Sequence, residues 1–196
     1  YSRRLLLGLV ASLSLLAAAP SAQALTESSA EALIDKVVAE INRVIGSGQP
    51  EAAMLGDFER IFERYSDQSY IAAYAMGVDA RRATAAQKKA FSDAFGTYIS
   101  RKYGKRFREF IGGQIEVNGV KQVKTWFEVN ATVKLRGEAP FNVTFMVSDR
   151  TGKDLFFNIY IEGVNLLLSE RAEIGALLDR RKGNIDAMIA DLRNMR

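Results

Sequence analysis

The stretch Trp126-Phe127-Glu128-Val129-Asn130-Ala131-Thr132-Val133-Lys134-Leu135 alternates in character at nearly every step. Phe127, Val129, Ala131, Val133 and Leu135 share one parity, and Trp126, Glu128, Asn130, Thr132 and Lys134 the other. Period two puts each set on one face of a strand. The next run repeats the pattern with Phe141, Val143, Phe145 and Val147, and a third with Leu155, Phe157, Ile159 and Ile161. Arg136-Gly137-Glu138-Ala139-Pro140 and Asp149-Arg150-Thr151-Gly152-Lys153 separate the runs and read as turns. The spacing predicts sequential antiparallel hairpins with one broad, Phe-rich face. Such a face must be covered, by helices alone or by helices plus a ligand.

Upstream the period changes to that of helices. Ser28 and Glu31 have the spacing of a capping box, followed by a stripe of Leu33, Val37, Ile41 and Val44 that ends at Gly46–Pro50. A second helix carries Leu55, Phe58, Phe62 and Tyr65, and Ser66-Asp67 caps a third with Tyr70, Ile71 and Tyr74 that closes at Gly77. Thr84 and Gln87 open a long helix that could extend to Ile111. Its stripe of Phe91, Phe95 and Tyr98 rotates round to Tyr103, Phe107 and Phe110, so a bend or break is expected near Gly104. Arg101, Lys105 and Arg108 lie opposite the later aromatics, either as a solvated face or as a docking patch for lipid head groups or an acidic partner. Gln114–Lys124 reads as a weaker strand with a turn or bulge at Asn118-Gly119. After the strands, Ser169 is expected to cap a helix ending near Lys182, and Asn184 a final one. The fold class is α+β: a curved antiparallel sheet of about four strands packed against several helices. Residues 25–113 are expected to be helical, 114–163 to form the sheet, and 166–196 to return to helix, all in one domain.

Composition removes several chemistries. The chain has no His and no Cys, which excludes Ser-His-Asp and Cys-His catalysis and the usual zinc ligands. No disulfide can support the fold. No P-loop or G-x-G-x-x-G stretch occurs. No acid falls on the apolar parity of the strands; Glu128 and Glu162 belong to the polar sets.

The N-terminal residues read as an export signal. Ser2-Arg3-Arg4 is a charged start, Leu5–Ala19 an apolar core too short to span a bilayer, and Ala22-Gln23-Ala24 a cleavage site. The two arginines suit either a Sec or a twin-arginine route. Residues 1–24 hold two of the 27 basic residues and none of the 23 acidic ones, so the processed chain carries 25 against 23, a net charge of +2. That near balance does not call for nucleic acid.

Several stretches, in this order, resemble the MlaC (toluene-tolerance auxiliary) family of periplasmic phospholipid-binding proteins. They are Phe58 to Tyr74 with Arg64-Tyr65, then Thr84-Ala85-Ala86-Gln87-Lys88-Lys89-Ala90-Phe91, and then Phe95, Tyr98 and Tyr103-Gly104. The most specific is Tyr160-Ile161-Glu162-Gly163-Val164-Asn165-Leu166-Leu167 with Arg171, and Gly183-Asn184-Ile185-Asp186 closes the series. The resemblance runs from about Ala30 to Leu192. Asn158 and Asn165 depart from it, standing where Asp and Ser are usual.

The resemblance implies an NTF2-like sheet with added helices and a non-enzymatic periplasmic carrier without a cofactor. It implies glycerophospholipid as cargo, with the acyl chains between sheet and helices. It also implies two partners, an outer-membrane lipoprotein–porin complex and an inner-membrane ABC transporter with an MCE-domain subunit. The carrier itself is expected to be a monomer. The implied sheet wall is Phe127, Val129, Val133, Phe141, Val143, Phe145, Phe157, Ile159 and Ile161, facing Tyr65, Tyr70, Tyr74, Phe95 and Tyr98. Two tails hold roughly 30 methylenes at ~0.8 kcal/mol each, so exposing them costs on the order of 25 kcal/mol. Loading and release would then occur only while docked to a partner. Two alternatives remain: an enzyme acting on a small hydrophobic substrate, which needs an acid or Tyr inside the cavity, and an adaptor whose same residues form a filled core.

Overall fold

A computed structural model describes residues 24–104, 109 and 111–195. The proposed cleavage region up to Gln23, and the patch members Lys105 and Arg108, lie outside the described residues. Six α-helices and one five-stranded antiparallel sheet are present among them, in the order α1 (Glu27–Ile45), α2 (Glu51–Tyr65), α3 (Gln68–Met76), α4 (Ala85–Gly104), β1 (Gln114–Val123), β2 (Trp126–Lys134), β3 (Phe141–Ser148), β4 (Leu155–Ile161), β5 (Val164–Asn165), α5 (Leu166–Arg180) and α6 (Ile185–Asn194). The sheet is a meander in which each strand pairs with the next.

The hairpin register follows the alternation. Val129 opposes Phe145 and Ala131 opposes Val143, so the apolar parities of β2 and β3 meet on one face. The expected irregularity at Asn118-Gly119 is a bulge between Val117 and Gly119, not a turn. A second bulge went unseen in the sequence. Val147 pairs with Phe156 and Met146 with Asn158, leaving Phe157 as the extra residue in β4. The bulge moves the phase of β4 by one, so Phe156 joins the core beside Phe145 (ring centroids 6.0 Å apart). The fifth strand comes from Glu162-Gly163. Both residues have positive φ, 48° and 77°, the signature of a tight two-residue hairpin that pairs Ile161 with Val164.

The helix ends correct two expectations. The first capping box is formed by Thr26 and Ser29, two residues ahead of the Ser28–Glu31 spacing. Helix α5 starts on Asn165, whose side chain accepts from the Leu168 N–H at 3.0 Å; Ser169 already lies inside it. The long helix is described as far as Gly104, and its expected continuation toward Ile111 lies mostly outside the described residues. A Cβ at Gly104 would overlap Leu55 Cδ2, so glycine lets α4 and α2 approach closely. Thr84–Gln87, Asp67 and Asn184 cap as expected.

The interior is divided. One cluster joins α1 and α2 to the sheet, through Ile34, Val37, Val44, Phe58, Val129, Val133, Phe145 and Val147. The other joins α3, α4, α5 and α6, through Phe91, Phe95, Ile174, Leu177, Met188 and Leu192. Phe62 of α2 packs against both. The α2–α3 junction also ties them: Ser66 bridges to Phe156, and the Asp67 N–H donates to the Phe156 carbonyl at 2.8 Å. That bond covers part of the open edge of β4 beyond the short β5.

Candidate functional site

The seam between the two clusters encloses a cavity of about 290 Å³. The sheet supplies Val133, Leu135, Phe141, Val143, Phe145, Phe156, Phe157, Ile159 and Ile161. Opposite stand Phe58, Ile61 and Phe62 of α2, Phe95, Ile99, Ser100 and Tyr103 of α4, and Leu166, Leu167 and Glu170 of α5. The exposed lining residues are Glu109 and Glu138, while Leu135, Phe141, Ile161 and Leu166 are half-buried, so the cavity opens among the end of α4, the β2–β3 loop and the start of α5.

Of the implied wall, Phe95, Val133, Phe141, Val143, Phe145, Phe157, Ile159 and Ile161 line this space. Six positions do not, and each has a physical reason. Phe127 and Val129 lie at the closed part of the sheet, in the filled core with α1. Tyr65 turns its hydroxyl away to Glu40 Oε1 at 2.6 Å. Tyr70 lies against Phe157 edge-on, with the Arg150 guanidinium 3.8 Å from its ring centre. Tyr74 faces Arg171 at 5.2 Å. Tyr98 points toward α5, donating to Glu173 at 2.8 Å. Arg101 is exposed, and its guanidinium donates to the Arg193 carbonyl at the end of α6 (3.3 Å). Tyrosine stripes thus mark where helices meet cations and carboxylates, and phenylalanine and aliphatic residues mark the cavity.

Sequence reasoning missed Phe58, Ile61, Phe62, Phe156, Ile99, Ser100, Tyr103 and Glu170. Phe156 was hidden by the bulge. Glu170 is the largest correction, because no inward acid was expected. It comes from a helix, not from a strand, and is 2 % exposed. Lys102 bridges it to Glu173, with contacts of 2.7 and 2.8 Å. The Tyr103 hydroxyl donates to the same Glu170 oxygen at 2.5 Å. Lys102 also bonds the Tyr98 hydroxyl at 3.0 Å.

Burial pushes the Tyr98 phenol well above its ordinary value, with Glu173 adding to the effect against Lys102. Burial and then the Glu170 hydrogen bond do the same for Tyr103. Burial works to lower the Lys102 ammonium, but hydrogen bonds to Glu170, Glu173 and Tyr98 outweigh it, and the net shift is upward. The Lys102 hydrogen bond holds Glu173 below the ordinary carboxylate range. A group raised in the folded chain stabilises it fully below its unfolded value and loses that contribution as pH rises; a lowered acid loses its contribution as pH falls. The tyrosines and Lys102 therefore predict a fall in stability above about pH 10, and Glu173 a smaller fall below about pH 4.5. Melting temperatures across this range test it. Tyr98→Phe with Tyr103→Phe should flatten the alkaline limb, and an unchanged limb would assign it elsewhere.

Asn158, 8 % exposed, closes the wall beside α5. Its amide donates to Asn165 Oδ1 at 3.0 Å, and its oxygen accepts from the Leu167 N–H at 3.3 Å. The two positions where the sequence was read as departing from the resemblance are thus hydrogen-bonded to each other. An Asp at 158 has no N–H for Asn165 Oδ1, whereas a Ser at 165 has a hydroxyl to give an Asp. Asn158→Asp alone is expected to cost about 2 kcal/mol, and adding Asn165→Ser to recover most of it. A denaturant double-mutant cycle reads the coupling, and additive losses would contradict it.

Comparison with known proteins agrees with this architecture. The family model for the MlaC protein matches residues 31–194. The chain belongs to the MlaC family. Its fold is also that of a phospholipid-binding protein from Ralstonia solanacearum, solved in complex with a phospholipid. That structure aligns with a TM-score of 0.71 at 19% identity, covering 84% of this chain and 95% of the other. No described helix is long and apolar enough to cross a membrane. Among the described residues of this MlaC family member, no group of three or more acids is placed to hold a metal ion.

Proposed function

We propose that this MlaC family protein binds a glycerophospholipid by its acyl chains in the cavity and carries it through the periplasm between the outer and inner membranes, as a step in maintaining outer-membrane lipid asymmetry. The observation that carries the reading is the cavity itself: about 290 Å³ of space walled by Phe, Ile, Val and Leu and open at one side. Space of that kind, left unfilled in a core, weakens a fold without compensation unless something occupies it. Family membership and the lipid-bound relative support the choice of occupant. The N-terminal export signal supports the compartment.

The volume is roughly twice that of a ~150 Å³ apolar cavity that takes up benzene. It therefore admits the first part of the acyl chains. Full coverage of two tails requires the two clusters to separate along the seam. Transfer would take place on docking to an outer-membrane lipoprotein–porin complex at one side and an MCE-bearing ABC transporter at the other. The processed chain, extracted with organic solvent and analysed by mass spectrometry, should yield glycerophospholipid. A chain that arrives empty and takes none from labelled vesicles, with or without the partner complexes, sinks the proposal.

Glu170 gives a second reading some support, since an enzyme on a small hydrophobic substrate needs an inward acid. The other polar groups of the described lining are the Ser100 hydroxyl, the Tyr103 hydroxyl already given to Glu170, the engaged Asn158 amide, and Glu109 and Glu138 at the exposed rim. The lipid reading uses the whole apolar wall, whereas the enzyme reading uses one corner of it.

A further inference from the structure

Leu25, just ahead of α1, is tied to the turn between β3 and β4. Its N–H donates to Asp149 Oδ2 at 3.1 Å, across 124 residues of sequence. Leu25 is half-buried and packs against the cluster of α1, α2 and the sheet, while Ala24 before it and Thr26 after it are exposed. The cleavage signal Ala22-Gln23-Ala24 ends at this same residue, so a cut after Ala24 makes Leu25 the amino terminus of the processed chain. We propose that processing turns this amide contact into an ion pair, in which the Leu25 α-ammonium docks on the Asp149 carboxylate and clamps the start of α1 to the β3–β4 turn. The inference rests on the export reading and not on the lipid cargo.

Hydrolysis of the Ala24–Leu25 bond by a signal peptidase consumes one water. The water oxygen stays on the Ala24 carbonyl carbon as part of a carboxylate, and the two protons convert the Leu25 N–H into an ammonium. An α-amino group has an ordinary pKa of about 7.7–8.0 and is mostly charged at neutral pH. That charge appears where an anion waits. Arg150, the cation beside Asp149, is committed elsewhere: its guanidinium lies 3.8 Å from the Tyr70 ring centre and 4.6 Å from that of Phe157. Its Nε donates to the Ser148 hydroxyl at 3.2 Å and stands 3.9 Å from Asp67. Among the described residues, no lysine or arginine side chain is paired with Asp149.

The ammonium in turn needs a counter-charge. It stands two residues ahead of Glu27, at the positive end of the α1 dipole, where a bare cation weakens a helix. Asp149 answers both the ammonium and the dipole, with a Coulomb attraction that a neutral amide lacks. Val37 and Ile41 of α1 line the cavity, so the clamp steadies a helix that supplies part of the wall. The unprocessed chain has the weaker contact, and full closure of this end of the fold follows cleavage.

The test is a double-mutant cycle read in melting temperature. The processed chain, starting at Leu25, is compared with one that keeps Ala22-Gln23-Ala24, each with Asp149 and with Asp149→Asn. The Asn oxygen still accepts an N–H, so the substitution removes the charge and leaves a neutral hydrogen bond available. Asp149→Asn is expected to lower the melting temperature of the processed chain by about 3 °C and that of the extended chain by about 1 °C or less. Equal losses in the two chains overturn the ion pair and leave the lipid reading standing. N-terminal sequencing of the exported protein is expected to begin Leu-Thr-Glu; a start at any other residue overturns the processing step and the ion pair with it. If Asp149→Asn does not fold, selective acetylation of the α-amine of the processed wild-type chain decides. It is expected to cost the same shift of about 3 °C, and an unchanged melt overturns the proposal.

Discussion

Val143→Trp should empty the protein of lipid without unfolding it. Val143 lies on the cavity wall, opposite Ala131 and Ile161 in the neighbouring strands. An indole there takes the place of three or four acyl methylenes, about 3 kcal/mol at ~0.8 each, or roughly a hundredfold in occupancy. Because the ring enters existing space, the usual overpacking cost is largely avoided. Phe145→Trp should act in the same direction. Val129→Trp is the contrasting control. Val129 shares the strand parity of the wall but is fully buried under α1, away from the cavity. The same ring there has no room and should cost 3 kcal/mol or more. Lipid mass spectrometry and thermal melts read both effects. Val143→Trp with full lipid occupancy, or Val129→Trp with an unchanged melt, would show that the wall has been drawn in the wrong place.

Lys102→Met is expected to be the most destabilising charge substitution. It strands the buried Glu170 carboxylate and removes its bridge to Glu173. Breaking a buried pair from one side costs 3–5 kcal/mol in general; Lys102 is itself 30% exposed, so the lower end, about 3 kcal/mol, applies. For a chain of this length that is a fall in melting temperature of about 10 °C. Adding Glu170→Leu should recover most of the loss, because an apolar side chain has no charge to strand. If the double variant is no more stable than Lys102→Met, the ion pair is not what holds α4 to α5.

These two experiments mark out what the sequence made legible. The sheet and its greasy face could be read because alternation is a local property of β2 and β3. The phase at the start of β4 could not, because a bulge inserts one residue without a compositional sign; Phe156 and Phe157 look alike to any periodic count. Nor could alternation divide one apolar face into a filled part, at Phe127 and Val129, and an open part, at Val143 and Phe145. That division depends on how far α1 and α2 reach across the sheet. The tyrosines misled for a related reason. Tyr65, Tyr70, Tyr74 and Tyr98 sit on helix stripes like those of core residues, but their hydroxyls and ring faces seek Glu40, Arg150, Arg171 and Glu173. Glu170 was invisible because its justification, Lys102, is 68 residues away in the chain.

The divided interior has a consequence for the life of the empty protein. Unfilled space in a core forfeits about 24 cal/mol per Å³, so 290 Å³ corresponds to about 7 kcal/mol of packing that the chain goes without. Whole domains are stable by only 5–15 kcal/mol. If the protein carries lipid as proposed, the unloaded form is the fragile member of the cycle, more exposed to local opening and to proteases than the loaded one. On that proposal, selection would act against long waits between unloading and reloading, and the protein's abundance would become a gauge of lipid supply.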